Sequence, residues 1–285
     1  MKAAIYFNEL QPLLYGYYIC KGVIFLHRKI SAAVFTVLTA MFMCGCTSDK
    51  NTVGQSAGHN DRGGVTPAET AFLTDGKEKV CYGQGYETDS DNRPVGAIQA
   101  QEKYGSYGGR FIFGKDDKTI RLTFDEGYEN GCTGKILDIL KEKKVTATFY
   151  VTLDYVKSSP ELVQRMINEG HEVGNHSCTH PSLPDISDDM VFEEIHGLET
   201  YISENFGGYK TVTMRPPRGE FSVRTLRIAK NMGYDTVLWS FAYNDWNTDA
   251  QPDRDTAYRR ITSATHNGAV YLLHAVSETN TAILP

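Results

Sequence analysis

The feature that most constrains this chain is an alternation of strand-like and helix-like runs between residues 120 and 273. Runs rich in β-branched and aromatic residues occupy positions 120–124, 146–152, 172–174, 211–214, 235–240 and 269–273. Runs with apolar residues at helical spacing separate them, at positions 133–144, 160–169, 188–202, 222–232 and 255–265. Strands joined by helices of about 10–15 residues form parallel sheets, so we expect an α/β domain.

Side chains suited to acid–base chemistry or metal binding recur just after these strand-like runs. In parallel α/β domains the chemistry gathers at the carboxyl ends of the strands. The residues in question are Asp125, Glu126, His176, His180, Arg215, Asp245 and His274. The pattern therefore predicts one site at this end of the sheet.

Two acids and two histidines dominate this set. Asp125 and Glu126 are adjacent, and His176 and His180 are four residues apart. One acid with two histidines is a common ligand set for a divalent metal that keeps an open position for water, and the second acid can then act as a base. A pair of histidines at this spacing is often unrelated surface residues, and Cys178 between them is an alternative ligand. The combination nevertheless indicates a metal hydrolase.

Five motifs in order carry a family resemblance, which spans residues 120–273. The motifs are Thr-Phe-Asp-Glu-Gly at 123–127, the histidine pair at 176 and 180, Arg-Pro-Pro-Arg-Gly at 215–219, Asp-Trp at 245–246 and Leu-Leu-His at 272–274. This series resembles the NodB-homology polysaccharide deacetylases, carbohydrate esterase family 4. The runs at 127–131 and 215–222, together with an N-terminal extension, look like the branch that removes the N-acetyl group of muramic acid during spore-cortex δ-lactam formation.

The resemblance implies a fold and a cofactor. The fold is a distorted (β/α) barrel with fewer than eight strands, and the cofactor is a divalent metal, zinc in most of the family. Relatives continue past the last motif with a further helix and strand, so we expect the chain to be truncated at its C-terminus. Without that unit, an exposed sheet edge is expected beside the last strand.

The resemblance also implies a role for each matched residue. Asp125 matches the general base, and His176 and His180 match metal ligands. Arg215 matches the residue that holds the base, Asp245 the acid that orients the catalytic histidine, and His274 the general acid. The implied substrate-binding residues are Trp246, Tyr128, Pro217 and Arg218.

Glu126 departs from the family pattern, in which a second aspartate binds the metal. The additional methylene moves its carboxylate outward by roughly one C–C bond. Glu126 is therefore expected either to bind the metal as a third ligand or to leave the metal held mainly by the two histidines.

The first 46 residues are predicted to be a targeting region. A basic run at 27–29 precedes a mostly apolar stretch at 30–43, which is shorter than the roughly 20 residues of a membrane-spanning helix. Gly45 and Cys46 follow, and they resemble a bacterial lipoprotein cleavage site with Cys46 as the lipidated residue; an uncleaved anchor is the alternative. Residues 47–79 have the composition of a flexible linker. Residues 80–285 form the predicted deacetylase domain, with an N-terminal extension at 80–118.

Composition limits the choice of partners. The formal net charge of −6 provides no electrostatic basis for binding nucleic acid or an anionic membrane surface. We expect a monomeric enzyme of the cell envelope, anchored to the membrane, that removes acetate from N-acetylmuramic acid in peptidoglycan glycan strands. The alternatives are a catalytically impaired glycan-binding protein with the same fold and a deacetylase of another acetylated polysaccharide.

Overall fold

The computed structural model describes residues 75–285, and the account below concerns those residues. The predicted targeting region, with Cys46, and residues 47–74 of the predicted linker lie outside this range. Lys79, at the end of the predicted linker, forms ion pairs with Asp185 and Glu220 at 2.7 and 3.0 Å. None of the helices between residues 75 and 285 has the length and apolar character that crossing a membrane requires.

Ten strands are present between residues 75 and 285. In chain order they are β1 (Val80–Cys81), β2 (Gly109–Arg110), β3 (Ile120–Glu126), β4 (Thr148–Val151), β5 (Glu172–Asn175), β6 (Thr213–Met214), β7 (Glu220–Phe221), β8 (Asp235–Val237), β9 (Phe241–Ala242) and β10 (Ala269–His274). Eight of them form one sheet in the spatial order β2-β8-β6-β5-β4-β3-β10-β9. Every neighbouring pair in this sheet is parallel, as the alternating pattern predicts.

Eight α-helices accompany the strands of the described region. They are α1 (Val95–Tyr104), α2 (Thr133–Lys143), α3 (Leu153–Ser158), α4 (Pro160–Asn168), α5 (Asp188–Asn205), α6 (Val223–Asn231), α7 (Arg254–Ser263) and α8 (Glu278–Ile283). Pro160 begins α4 at a position where a missing backbone N–H costs nothing. Ser187 caps α5, and its hydroxyl accepts a hydrogen bond from the Met190 N–H. All five predicted helices thus begin within a residue of their expected positions.

The expected distorted barrel is confirmed as an open, parallel sheet. Strands β2 and β9 lie at its two edges and are not paired with each other in the described region, so the sheet does not close. The sheet has eight strands rather than fewer than eight. Six of them correspond to the six strand-like runs of the sequence, and the other two, β2 and β9, are edge strands of two residues each. Pairings this short leave no periodic signal in a sequence.

One expectation about the last strand is corrected. The sequence predicts an exposed edge beside β10, but β10 pairs with β3 on one side and with β9 on the other. The polar residues after it form α8, in which Thr279 and Asn280 are buried. The side chains of β10 are consequently almost all buried.

Two apolar clusters hold the catalytic region together. The larger lies between the sheet and helices α2, α4 and α5, where the rings of Phe124 and Phe149 stack at 5.2 Å. The second joins α1 of the N-terminal extension to Phe111, Phe221 and Trp239. In addition, β1 of the extension pairs with β7 in an antiparallel sheet of two strands. The extension is therefore built into the domain beside the site.

Candidate active site

The carboxyl ends of four strands of the sheet, β10, β3, β5 and β6, bring the predicted residues together. Asp125 on β3 is directly opposite His274 on β10. His176 follows the last residue of β5, and Arg215 follows the last residue of β6, which pairs with β5 at that point. Because parallel strands end at the same edge of a sheet, residues far apart in sequence meet here.

Asp125 is held by a fully buried arginine. The Arg215 guanidinium donates to Oδ1 of Asp125 at 2.8 Å and to the carbonyls of Val237 and Leu238 at 3.0 and 3.1 Å. It also lies 4.4 Å from the centre of the Tyr150 ring. Burial by itself would raise the pKa of the Asp125 carboxyl, but the charge of Arg215 and its hydrogen bond hold the pKa below its ordinary value. Asp125 is therefore ionised at neutral pH.

The two histidines lie side by side next to Asp125. Their ring centres are 4.9 Å apart, and Nε2 of His176 is 3.6 Å from Oδ2 of Asp125. Nδ1 of His176 is 2.8 Å from the Arg215 carbonyl oxygen, which can only accept a hydrogen bond. Nδ1 must therefore carry the proton, and Nε2 faces Asp125 with a free lone pair.

Both imidazoles are neutral. Burial lowers the pKa of His176, and burial together with His176 lowers the pKa of His180 to about 4. The backbone that carries them is strained, with positive φ at Ser177 (68°) and His180 (58°). Hydrogen bonds hold it: Asn175 Oδ1 accepts from the Ser177 N–H at 2.9 Å, and Ser177 Oγ accepts from the His180 N–H at 3.1 Å.

Glu126 is not brought to the histidines. Successive residues of a strand point to opposite faces, so Glu126 shares the core-facing side with Phe124 while Asp125 faces the site. Both of its carboxylate oxygens are buried without a hydrogen-bond partner among residues 75–285. Burial, with the charges of Glu129 and Asp125, raises its pKa well above the ordinary value. The expected role of Glu126 as a third metal ligand does not match this position.

The donor set of the site still fits a divalent metal. Between residues 75 and 285, no three His, Cys, Asp or Glu side chains converge as a preformed metal cluster. Two neutral imidazoles side by side are nevertheless donors that such metals prefer, and the negative charge of Asp125 beside them favours a cation. A buried Nε2 lone pair whose other ring nitrogen is bound to a carbonyl is also the usual arrangement of a metal-binding histidine.

His274 completes the site from the other side. Its Nδ1 is 2.7 Å from Oδ1 of Asp245, which is fully buried, and its backbone N–H donates to Oδ2 of Asp245 at 2.8 Å. Burial alone would lower the pKa of His274, but the hydrogen bond and charge of Asp245 raise it. His274 is thus kept in a form that can carry a proton.

Asn280 is a member of this group that the sequence did not reveal. Its amide donates to Oδ2 of Asp245 at 2.6 Å and to the His274 carbonyl at 3.2 Å. Its own oxygen accepts a hydrogen bond from the Tyr243 hydroxyl. The only local signal is Ser277, which caps the short helix α8 that carries Asn280.

Two connected cavities open at these residues. The larger, of about 890 Å³, and the smaller, of about 540 Å³, share the lining residues Asp125, His176, His180, Trp246 and His274. Trp246 and Tyr128 are half-exposed at their rims, and Arg218 lines the larger one, as expected of substrate-binding residues.

Other residues of the cavity walls differ from expectation. Pro217 is buried and lines neither cavity, so direct substrate contact by this residue does not match its position. It belongs to the turn that presents Arg218, whose φ is 60°. Residues 83–86 of the extension and Arg260 of α7 line the larger cavity, and no motif marked them in advance.

Comparisons with known proteins agree with this geometry. The polysaccharide deacetylase family model matches residues 114–237. The chain is 43% identical over 197 residues to an uncharacterised 30.6 kDa protein of Geobacillus stearothermophilus, covering 69% of this chain and 74% of that protein. It is 43% identical over 183 residues to the peptidoglycan-N-acetylmuramic acid deacetylase PdaA of Bacillus subtilis, covering 64% of this chain and 68% of PdaA.

A solved structure shares the fold. The structure of Bacillus subtilis PdaA, a family 4 carbohydrate esterase, has a TM-score of 0.69 and 38% sequence identity, covering 73% of this chain and 88% of that one. The fold and the site thus define a hydrolase that acts on amide C–N bonds. The chain belongs to the polysaccharide deacetylase family, carbohydrate esterase family 4, and within it resembles the PdaA branch. Deacetylases of this family are in general metal-dependent.

Proposed function

We propose that this protein removes the N-acetyl group from N-acetylmuramic acid in peptidoglycan and releases acetate. The observation that carries the proposal is the arrangement of an ionised Asp125 and a proton-bearing His274 beside each other, with the neutral histidine pair, at an open cavity. The 43% identity to a peptidoglycan-N-acetylmuramic acid deacetylase supports this choice of sugar. So does Arg218 in the cavity, because a guanidinium pairs well with the lactyl carboxylate of muramic acid.

His176 and His180 would hold the metal, which the donor set suggests is zinc. When bound, such an ion supplies Lewis-acid polarisation of the acetyl carbonyl and lowers the pKa of water. The remaining chemistry belongs to the side chains of the chain. Glu126, buried on the core side of β3, takes no part in this assignment.

Asp125 accepts a proton from the attacking water while the water oxygen forms a bond to the acetyl carbon. Arg215 keeps Asp125 ionised and oriented for this step. His274 then gives its proton to the sugar nitrogen as the C–N bond breaks, and acetate and a free amine result. Asp245 holds Nδ1 of His274, so that the other ring nitrogen is the one able to reach the substrate.

Residues 83–86 and the exposed rings of Tyr128 and Trp246 extend the wall on both sides of the reacting position. An open cavity of this kind suits a sugar within a strand better than a small free sugar. The partner is therefore a peptidoglycan glycan strand, and the enzyme acts as a monomer.

We further propose that the protein works outside the cytoplasm, in the cell envelope, during spore-cortex formation. Its substrate is located there, and the sequence around Gly45 and Cys46 fits lipid anchoring to the membrane. Labelling with a radioactive fatty acid, compared between the parent and Cys46→Ala, tests the anchor; equal labelling would contradict it.

Acetate release from purified peptidoglycan tests the function. We expect release that stops with a chelator and resumes when Zn²⁺ is restored, with mass spectrometry placing the lost acetyl group on muramic acid. Loss of acetyl groups only from N-acetylglucosamine, or faster reaction with chitin oligosaccharides, would contradict the choice of sugar.

A further inference from the structure

The larger cavity has an excess of positive charge although the chain as a whole is acidic. Asp125 is the only acidic residue among the residues that line it, and Arg215 already neutralises Asp125. Two further arginines, Arg218 and Arg260, line the same cavity. The formal net charge of the whole chain is −6, so this concentration of cationic groups is local.

Arg260 has no carboxylate partner in the described part of the chain. No acidic oxygen described there forms an ion pair with its guanidinium, whose central carbon is 5.9 Å from the centre of the Tyr243 ring. Four other arginines of the described region are paired with acids: Arg110 with Asp235, Arg121 with Asp117, Arg165 with Asp138 and Glu169, and Arg224 with Asp188. Arg93, Arg227, Arg254 and Arg259 form no ion pair within residues 75–285 either, but they do not line this cavity. Arg260 is thus an exposed cation at the wall of the active-site cavity that remains available to a ligand.

Arg260 and Arg218 belong to different elements of the cavity wall. Arg218 lies in the turn of residues Pro217–Gly219, between β6 and β7. Arg260 instead lies on α7, and its nearest aromatic neighbour, Tyr243, follows the edge strand β9. Trp239, Tyr243 and Tyr86 line the same cavity. Trp239 and Tyr243 are buried, whereas Tyr86 is exposed and offers a flat apolar face to a sugar ring. A glycan strand that fills this cavity would place a sugar next to the reacting one near Arg260.

We propose that Arg260 forms a second anion subsite, which binds a carboxylate of the peptidoglycan strand carried by a unit next to the reacting sugar. This inference rests on the proposed function and adds a determinant of substrate specificity to it. A guanidinium is suited to this role because its fork of N–H donors matches the two oxygens of a carboxylate. The carboxylate belongs either to the lactyl group of a neighbouring muramic acid or to its peptide.

Arg259 provides a matched control. It is adjacent to Arg260 on α7, is likewise exposed and lines neither cavity; its guanidinium donates to Thr256 Oγ1 at 3.4 Å. Arg259→Ala and Arg260→Ala therefore remove the same charge from the same helix, and only the second change alters the cavity wall. A general effect of net charge would appear equally in both variants.

The test measures binding in the Asp125→Asn background by calorimetry, with peptidoglycan oligosaccharides of several sugars and neutral chitin oligosaccharides of equal length. We expect Arg260→Ala to weaken peptidoglycan binding about tenfold, a loss that decreases at high salt, and to leave chitin binding unchanged. Arg259→Ala should change neither. Equal effects of the two substitutions, or an equal loss with chitin oligosaccharides, would overturn the subsite.

Two preparations of glycan strands, one with and one without the attached peptides, identify the source of the carboxylate. If the tenfold loss persists after an amidase has removed the peptides, the lactyl carboxylate is the ligand; if it is seen only with peptides present, the peptide is. Either result supports the subsite, and no loss with either preparation overturns it. Because binding is measured without turnover, a parent enzyme that binds strands but releases no acetate from muramic acid would count against the proposed function alone.

Discussion

Replacing Arg215 by methionine should destabilise the domain far more than removing an ordinary surface arginine. The guanidinium is fully buried and forms an ion pair with Asp125, whose side chain is only 10% exposed. Removing one partner of a buried pair leaves an uncompensated charge and costs about 3–5 kcal/mol. The carbonyls of Val237 and Leu238 lose their donors as well. For a domain of this size the loss corresponds to a fall in melting temperature of roughly 6–20 °C.

A double-mutant cycle with Asp125→Asn separates the contribution of the Arg215–Asp125 ion pair from that of the other contacts of Arg215. In Arg215→Met/Asp125→Asn no unpaired carboxylate remains, so the two changes together should cost less than the sum of the single changes. We expect a coupling energy of about 2–3 kcal/mol, measured by denaturant unfolding of the metal-free protein at pH 7.

Arg110→Met serves as the control, because Arg110 and Asp235 form a pair whose side chains are 39% and 48% exposed. Its removal should cost about 1 kcal/mol or less. If Arg215→Met is no more destabilising than Arg110→Met, or if the cycle is additive, the view of Arg215 as the counter-charge of Asp125 is wrong.

Three further predictions concern the site. Asp125→Asn should keep metal but lose turnover, and Glu126→Gln should keep both, because Glu126 lies on the core side of β3, where burial raises the pKa of its carboxyl. An inactive Glu126→Gln beside an active Asp125→Asn would reverse the two assignments. His176→Ala and His180→Ala should each lower the metal content found by elemental analysis, and full occupancy in either would refute its role as a ligand. Asn280→Ala should lower kcat and leave KM unchanged, because Asp245 loses a donor while the cavity wall is intact; a change in KM alone would contradict this.

Much of the fold follows from local patterns in the sequence. The alternation of strand-like and helix-like runs predicts six of the strands and five of the helices, because backbone propensity and one-sided burial act within a few residues. The caps at Ser187 and Ser222 are equally local, and each hydroxyl accepts a hydrogen bond from the backbone N–H three residues further on. The sequence also predicts that Asp125 and His274 directly follow strands; in the structure each lies at the carboxyl end of its strand, inside β3 and β10.

The N-terminal extension shows what these local patterns do not contain. Gln84 accepts a hydrogen bond from Trp239 Nε1 at 2.9 Å and donates to the Ala242 carbonyl at 3.3 Å. These contacts place residues 83–86 at the cavity, more than 150 positions away in sequence. No spacing within the extension could predict such a pairing, because it depends on how β1 and α1 pack against the sheet.

The sequence by itself determined the class of fold and the chemical character of the site, because strand periodicity and residue type are properties of short segments. Only the tertiary structure decided which acid faces the cavity. Asp125 and Glu126 are adjacent and chemically alike, and the pleat of β3 turns one toward Arg215 and the other into the core. The partners of β10 and the contact of Asn280 with Asp245 were decided in the same way, since both depend on segments that meet only after the sheet has formed.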